Sequence, residues 1–123
     1  MNKKISIGIL VVLAISLFFI LVPRDNVTAN LDYFAQCLVD RGAVMYGAEW
    51  CPHCQDEKRG FSDSWRIVSY VECPADPAKC LAQGIEGYPT WIIGTSTRLI
   101  GAQGIEKLSE ITGCSVQLEK GEQ

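Results

Sequence analysis

Apolar positions change their spacing along this chain, and the change divides it in two. From Ile5 to Val22 no charged residue occurs, and only Ser6, Gly8, Ala14 and Ser16 interrupt the large apolar side chains. A run with no polar face predicts a helix that is apolar all round. Its 18 residues rise about 27 Å as a helix, close to the roughly 30 Å of a bilayer's hydrocarbon core. Lys3 and Lys4 precede the run, and Arg24-Asp25 follows it without net charge. The positive-inside rule then puts the N-terminus in the cytoplasm and everything after Pro23 outside. A cleaved signal peptide would have a shorter apolar region of about 7–15 residues and a small-residue site, for which Val27-Thr28-Ala29 would serve. The longer run favours an uncleaved signal anchor. Residues 1–29 are therefore read as a cytoplasmic N-terminus, one transmembrane helix and a linker. Residues 30–123 are read as a domain on the extracytoplasmic side, periplasmic or lumenal.

Beyond the linker the spacing alternates between helical and extended. Asn30 is placed to cap a helix with Leu31, Phe34, Ala35, Leu38 and Val39 on one face, ended by Gly42. Residues 43–48 read as a buried strand, followed by a polar helix to about Gly60. After a connection at Phe61–Trp65, Arg66–Glu72 reads as a second strand. Two prolines keep the loop Cys73-Pro74-Ala75-Asp76-Pro77 out of the sheet. Asp76 then caps a short helix with Pro77 at its first position, and Gly84 closes it. Thr90–Ile93 and Thr97–Ile100, joined by Gly94-Thr95-Ser96, predict an antiparallel hairpin. Gly104–Ile111 is a helix, amphipathic through Ile105, Leu108 and Ile111. The tail Ser115–Gln123 is polar and expected to fray. The order is one leading helix, then β-α-β-α-β-β-α. It predicts an α/β domain whose mixed sheet contains a right-handed parallel crossover.

Charge removes some functions. Residues 30–123 carry eight Lys/Arg against thirteen Asp/Glu, a surface unsuited to nucleic acid or anionic lipid. The six cysteines, Cys37, Cys51, Cys54, Cys73, Cys80 and Cys114, fit an oxidising compartment. Six cysteines allow fifteen full pairings.

Chemistry concentrates at Trp50-Cys51-Pro52-His53-Cys54. Two cysteines two residues apart, between a strand and a helix, form a redox signature. His53 is the only histidine of the chain. Ala48-Glu49-Trp50-Cys51-Pro52-His53-Cys54 resembles a thioredoxin-family active site. Gly84-Ile85-Glu86-Gly87-Tyr88-Pro89-Thr90 resembles that family's loop bearing a cis-proline. The two motifs stand in the expected order, 35 residues apart between Cys54 and Pro89. The predicted element order is the minimal thioredoxin fold with an extra N-terminal helix. The Pro52-His53 dipeptide is similar to that of the periplasmic disulfide oxidases. Phe34-Ala35, Gly42–Ala48, Val71-Glu72-Cys73 and Gly87–Trp91 resemble the thioredoxin-like domain of bacterial and plastid vitamin K epoxide reductase homologues, over roughly residues 31–113. In that family the domain oxidises exported proteins and passes electrons to a quinone-linked membrane domain. That four-helix domain is missing from this chain, so the resemblance implies a partner in trans.

Disulfide exchange needs an exposed, ionised thiol. Cys51 at a helix N-terminus meets that need, because free amides and the positive helix end stabilise a thiolate. A protonated His53 adds a cation beside it, and both effects favour the reduced form, making the oxidised form a stronger oxidant. Cys54, one turn on, is the resolving thiol. A zinc half-site would need two more close ligands, and the six residues between Cys73 and Cys80 are too many for one; no metal and no cofactor beyond the Cys51–Cys54 disulfide are expected. Pro89 is expected cis, with Tyr88, Thr90 and Trp50 as substrate contacts, although Trp50 would serve equally as a packing residue. Glu49 is read as a solvated strand-end charge.

Cys73 and Cys80 are expected to form a structural disulfide, with a redox relay as the alternative. The leading helix is expected on the sheet face of the Cys80 helix, and the last helix on the opposite face with Cys54. That arrangement would leave Cys37 and Cys114 too far apart to bond. The reading is a membrane-anchored, monomeric thiol–disulfide oxidoreductase that oxidises exported protein thiols and passes electrons to a vitamin K epoxide reductase-like membrane protein. A reductase or isomerase of the kind serving cytochrome c maturation is one rival. A non-catalytic interaction module stapled by its cysteines is the other.

Overall fold

The computed structural model describes residues 2–21 and 27–120, with side chains described for residues 7–18 and 31–117. The chain divides into two compact units, Met1–Thr28 with Lys120–Gln123, and Ala29–Glu119. The first holds helix α1, Asn2–Leu21. Its described apolar side chains, among them Ile7, Leu10, Val12 and Phe18, are more than half exposed. Among the described residues no helix is long and apolar enough to cross a membrane. The described side chains of α1, residues 7–18, make too short an apolar stretch for that. The side chains of Lys3 and Lys4, residues 22–26, and the side chains of Val27-Thr28-Ala29 lie outside the described residues.

The second unit is built on a four-stranded sheet in the order β3-β2-β4-β5. Its strands are β2 (Ala43–Gly47), β3 (Tyr70–Glu72), β4 (Thr90–Ile93) and β5 (Thr97–Ile100). β2 runs parallel to β3 and antiparallel to β4, and β4 pairs antiparallel with β5. Around it stand α2 (Asp32–Asp40), α3 (Pro52–Phe61), α4 (Pro77–Ala82) and α5 (Gly104–Thr112). This order and pairing make a thioredoxin-like α/β fold with one added helix at its start. Punctuation explains several boundaries. Asp76 accepts a hydrogen bond from the Lys79 backbone N–H ahead of Pro77, capping α4 as its sequence predicts.

Side chains alternate across the sheet and define two cores. Ala43 and Met45 of β2 and Trp91 of β4 join Phe34, Leu38, Cys54, Phe61 and Leu108 in the larger one. Tyr46 and Val71 join Cys73 and Cys80 in a smaller one on the other face. Within the second unit, helices α2, α3 and α5 therefore share a face, and α4 packs on the other.

Five expectations change. Helix α2 packs with α3, not with α4: Phe34 and Phe61 stack with ring centroids 5.9 Å apart. The apolar stripe of α2 fits the larger core, and this brings its outer residue Cys37 to the end of α5. Cys37 and Cys114 are consequently not free but disulfide-bonded, with Cα atoms 5.8 Å apart. The second strand is shorter than expected because Ser62–Ile67 forms a 3-10 helix. Arg66 there turns out to bind Asp32 in a two-pronged pair, with Nη1 2.7 Å from Oδ1, while Ser64 donates to the same carboxylate. Arg66 holds the Asp32 carboxyl far below the usual carboxylate range, with Ser64 assisting. Finally, Asn30 does not cap α2, whose N-cap is Leu31. Asn30 ends β1 (Val27–Asn30), which pairs in a separate two-stranded sheet with β6 (Gln117–Lys120), so part of the polar tail is a strand.

Candidate active site

Strand β2 delivers the chain to the site, and a tight turn hands it to α3. Cys51 is the N-cap of α3 in an extended conformation, and Pro52 occupies the first helical position, where a missing N–H costs nothing. The turn is fixed from both sides. The Cys51 N–H donates to Ala48 O at 3.1 Å, and Gln55 Nε2 donates to Glu49 O at 2.8 Å. The Glu49 N–H donates to Glu72 Oε1 at 3.0 Å. The Glu49 side chain is exposed.

The two sulfurs differ in access. Cys51 is 5% exposed and Cys54 fully buried, and both are unbridged thiols. Burial pushes the Cys54 thiol up from its ordinary value near 9 to about 11. A backbone hydrogen bond at Ala48 opposes that shift, the Cys51 sulfur adds to it, and the Lys58 charge pulls against it. Cys51 Sγ lies 3.8 Å from Tyr88 O, within reach as a thiol donor. The Tyr88–Pro89 peptide is cis. The spacing of the two motifs in sequence is thus a contact in space.

The other residues singled out in the sequence divide between inside and outside. Pro52 and His53 are exposed on the first turn of α3. Trp50 is 68% exposed and meets Tyr88 edge to face, centroids 6.1 Å apart, so it stands as a surface residue. Pro89 is buried. Thr90 is 1% exposed and donates to Gly87 O at 2.8 Å. It therefore holds the loop from within instead of offering its hydroxyl to a substrate. Cys73 and Cys80 are bonded and buried in the smaller core, across the sheet from Cys54. Among the described residues no three His, Cys, Asp or Glu side chains are grouped to hold a metal ion.

Three residues matter here that the sequence reading passed over. A Cβ at Gly47 would lie 2.8 Å from Cys54 Sγ and 3.3 Å from Tyr70 Cε2, so the buried sulfur occupies space that only glycine leaves. Glu57 is a buried carboxylate on the same face of α3 as Cys54 and Phe61. It accepts from Trp91 Nε1 at 3.0 Å and from the backbone N–H groups of Gln103 and Gly104 at the start of α5. An acid in the apolar register of a helix was the available signal. Lys58 sits with its ammonium 3.9 Å from the Tyr70 ring centroid.

Fold and site together define a thioredoxin-like domain with two buried cysteines at the head of one helix, so Cys51 is less exposed than the sequence leads one to expect. The chain was compared with known proteins. The chain is 40% identical over 106 residues to the thiol-disulfide oxidoreductase LTO1 of Arabidopsis thaliana, a match covering 76% of this chain and 28% of that protein. It is 28% identical over 75 residues to a protein disulfide-isomerase of Aspergillus niger, covering 54% of this chain and 15% of that one. It thus spans less than a third of either relative. A Malassezia sympodialis thioredoxin structure superposes with a TM-score of 0.48 at 22% identity, over 76% of this chain and 95% of that one. No family model matches the chain.

Proposed function

We propose that this chain is a thiol–disulfide oxidoreductase that oxidises exported protein thiols at Cys51–Cys54. The observation that carries this is the placement of Cys51 Sγ at the head of α3, 3.8 Å from the carbonyl before the cis-proline. In the oxidised form a substrate thiolate attacks Cys51, because Cys54 is out of reach. A substrate–Cys51 disulfide forms, the Cys51–Cys54 bond breaks, and its electron pair leaves on Cys54. A second substrate thiolate then attacks the substrate sulfur of that mixed disulfide and expels Cys51. The substrate departs oxidised, and two electrons and two protons remain on the pair. Trp50 and Tyr88 flank the attacked sulfur as apolar contacts for the substrate, and His53 supplies a cation on its exposed side when protonated.

The resemblance of Gly42–Ala48, Val71-Glu72-Cys73 and Gly87–Trp91 to the thioredoxin-like domain of vitamin K epoxide reductase homologues supports a quinone-linked membrane reductase as the electron acceptor. The uncharged run Ile5–Val22 behind Lys3 and Lys4 supports a single-pass anchor that keeps residues 30–123 outside the cytoplasm. The burial of Cys73–Cys80 behind the sheet supports a staple in preference to a relay. Cys54→Ala tests the function in intact cells: it should accumulate substrates and oxidant as mixed disulfides on Cys51. Recovery of none would sink the reading. A reductase or isomerase would use the same geometry in the other direction. An oxidase should have a potential toward about −120 mV, and a thioredoxin-like reductase one near about −270 mV.

A further inference from the structure

Behind Cys54 the fold places a cation that neither the cysteine motif nor the cis-proline loop requires. Lys58 follows Cys54 by four residues on α3, so both stand on one face of the helix. Its half-buried side chain carries Nζ 3.9 Å from the Tyr70 ring centroid and 5.6 Å from that of Trp65. Trp65 packs edge to face on Tyr70 with centroids 5.5 Å apart, which fixes the ring. The same ring borders the small space at Gly47 that Cys54 Sγ also borders. The space above Gly47 is bordered by Cys54 Sγ on one side and Tyr70 Cε2 on the other. The Tyr70 hydroxyl donates to the Glu72 carboxylate, so the aromatic ring has a cation on its face and an anion at its tip.

We propose that Lys58 is the electrostatic partner of the resolving cysteine, held over Tyr70 to stabilise the electron pair that lands on Cys54 when the Cys51–Cys54 bond breaks. The inference rests on the exchange chemistry proposed above. In that step negative charge moves from the substrate thiolate to Cys54 Sγ, and solvent later supplies its proton. A buried thiolate without a cation is a poor leaving group. The groups on the packed elements are Cys51 and Lys58 of α3 and Tyr70 and Glu72 of β3. Glu57 is turned to Trp91 and α5, and Arg59 is paired with Asp56. Among the described groups that act on the Cys54 thiol, Lys58 is the cation.

The test reads Cys54 directly, by thiolate ultraviolet absorbance against pH in the full chain carrying Cys51→Ser. Lys58→Met keeps the aliphatic stem and should leave on the order of tenfold less Cys54 thiolate at a given pH below its midpoint. Lys58→Gln should do the same, and Lys58→Arg should restore the original titration. In chains with both cysteines intact, glutathione should open the oxidised pair roughly threefold more slowly in Lys58→Met, following the leaving group's acidity. Unchanged titration in both Lys58→Met and Lys58→Gln would overturn the proposal. If the unsubstituted oxidised protein does not react with glutathione at all, the exchange reading itself fails, a separate outcome from the one for Lys58.

Discussion

On one face of the four-stranded sheet lie α2, α3 and α5 with the large core of Phe34, Phe61, Trp91 and Leu108; on the other lies α4 over Tyr46, Val71 and a disulfide. The reactive pair belongs to the crowded face. Under the proposed exchange chemistry its bond opens and closes, so that face needs other fastenings. It has two. Glu57 ties α3 to β4 and α5 through hydrogen bonds, and Cys37–Cys114 ties α2 to the end of α5. The sparse face buries fewer apolar side chains, and Cys73–Cys80 fastens α4 to it over a short loop. The cysteines thus divide by duty according to where they lie: two closed bonds at the margins, and one open pair where the carbonyl of the cis loop meets the helix.

The largest effect expected from disturbing this division is on stability. Cys37–Cys114 spans a sequence separation of 77 and Cys73–Cys80 one of 7. By chain entropy, replacing the first pair with alanines should cost about 4.5 kcal/mol, and replacing the second about 2.5 kcal/mol. Urea unfolding of the two double variants checks the order. Cys73→Ala/Cys80→Ala should still exchange with glutathione at an undiminished initial rate. A lost rate in a folded variant would make that bond a relay and dissolve the contrast between the faces.

How much of this was legible beforehand depends on the range over which each feature is determined. Asp76-Pro77, Gly84 and Gly94-Thr95-Ser96 act on neighbouring backbone, so α4 and the β4–β5 hairpin appear where punctuation places them. The place of Cys51 at the head of α3 and the cis-proline were legible because their motifs are local. The choice of face for α2 was not, because the apolar stripe Phe34–Leu38 would satisfy either side of a sheet. Only the fit against Phe61 settles it, and the Cys37–Cys114 bond follows from that fit. Arg66-Ile67 looked extended by composition, but Arg66 pairs with Asp32 and the segment coils. Thr90 stood in the right loop, yet its hydroxyl turns inward; alternation about a cis-proline is not readable from spacing.

A smaller effect should separate two glycines of the reactive region. A methyl at Gly47 would press on Cys54 Sγ at 2.8 Å and on Tyr70 at 3.3 Å, whereas one at Gly87 would meet Ile100 only at 4.0 Å. Gly47→Ala should therefore destabilise by about 1–3 kcal/mol and slow opening of the oxidised pair, because the sulfur must move. Gly87→Ala should stay within about 0.5 kcal/mol. Thermal unfolding of both variants, with glutathione kinetics on each, measures the difference. Equal behaviour would mean that the space behind Cys54 is not filled as described.

The smallest effect is nil at neutral pH and opens only in alkali. Burial holds the folded Cys54 thiol protonated up to about 11, against an ordinary value near 9. A folded value raised above the unfolded one gives stability that is complete below the unfolded value and is lost as pH rises through the folded one. A Cys51→Ser chain should thus lose stability between about pH 9 and pH 11 relative to Cys51→Ser/Cys54→Ser, which has no buried thiol to titrate. Tyr70, also pushed upward by burial and by Glu72, stays protonated through that window in both chains. Cys73 and Cys80, equally buried but bonded, contribute nothing to the slope. The alkaline difference between the two variants therefore reports one sulfur on one face. A flat difference across that range would show that Cys54 meets water, and the reading of Cys54 as the sealed thiol of the pair would fall with it.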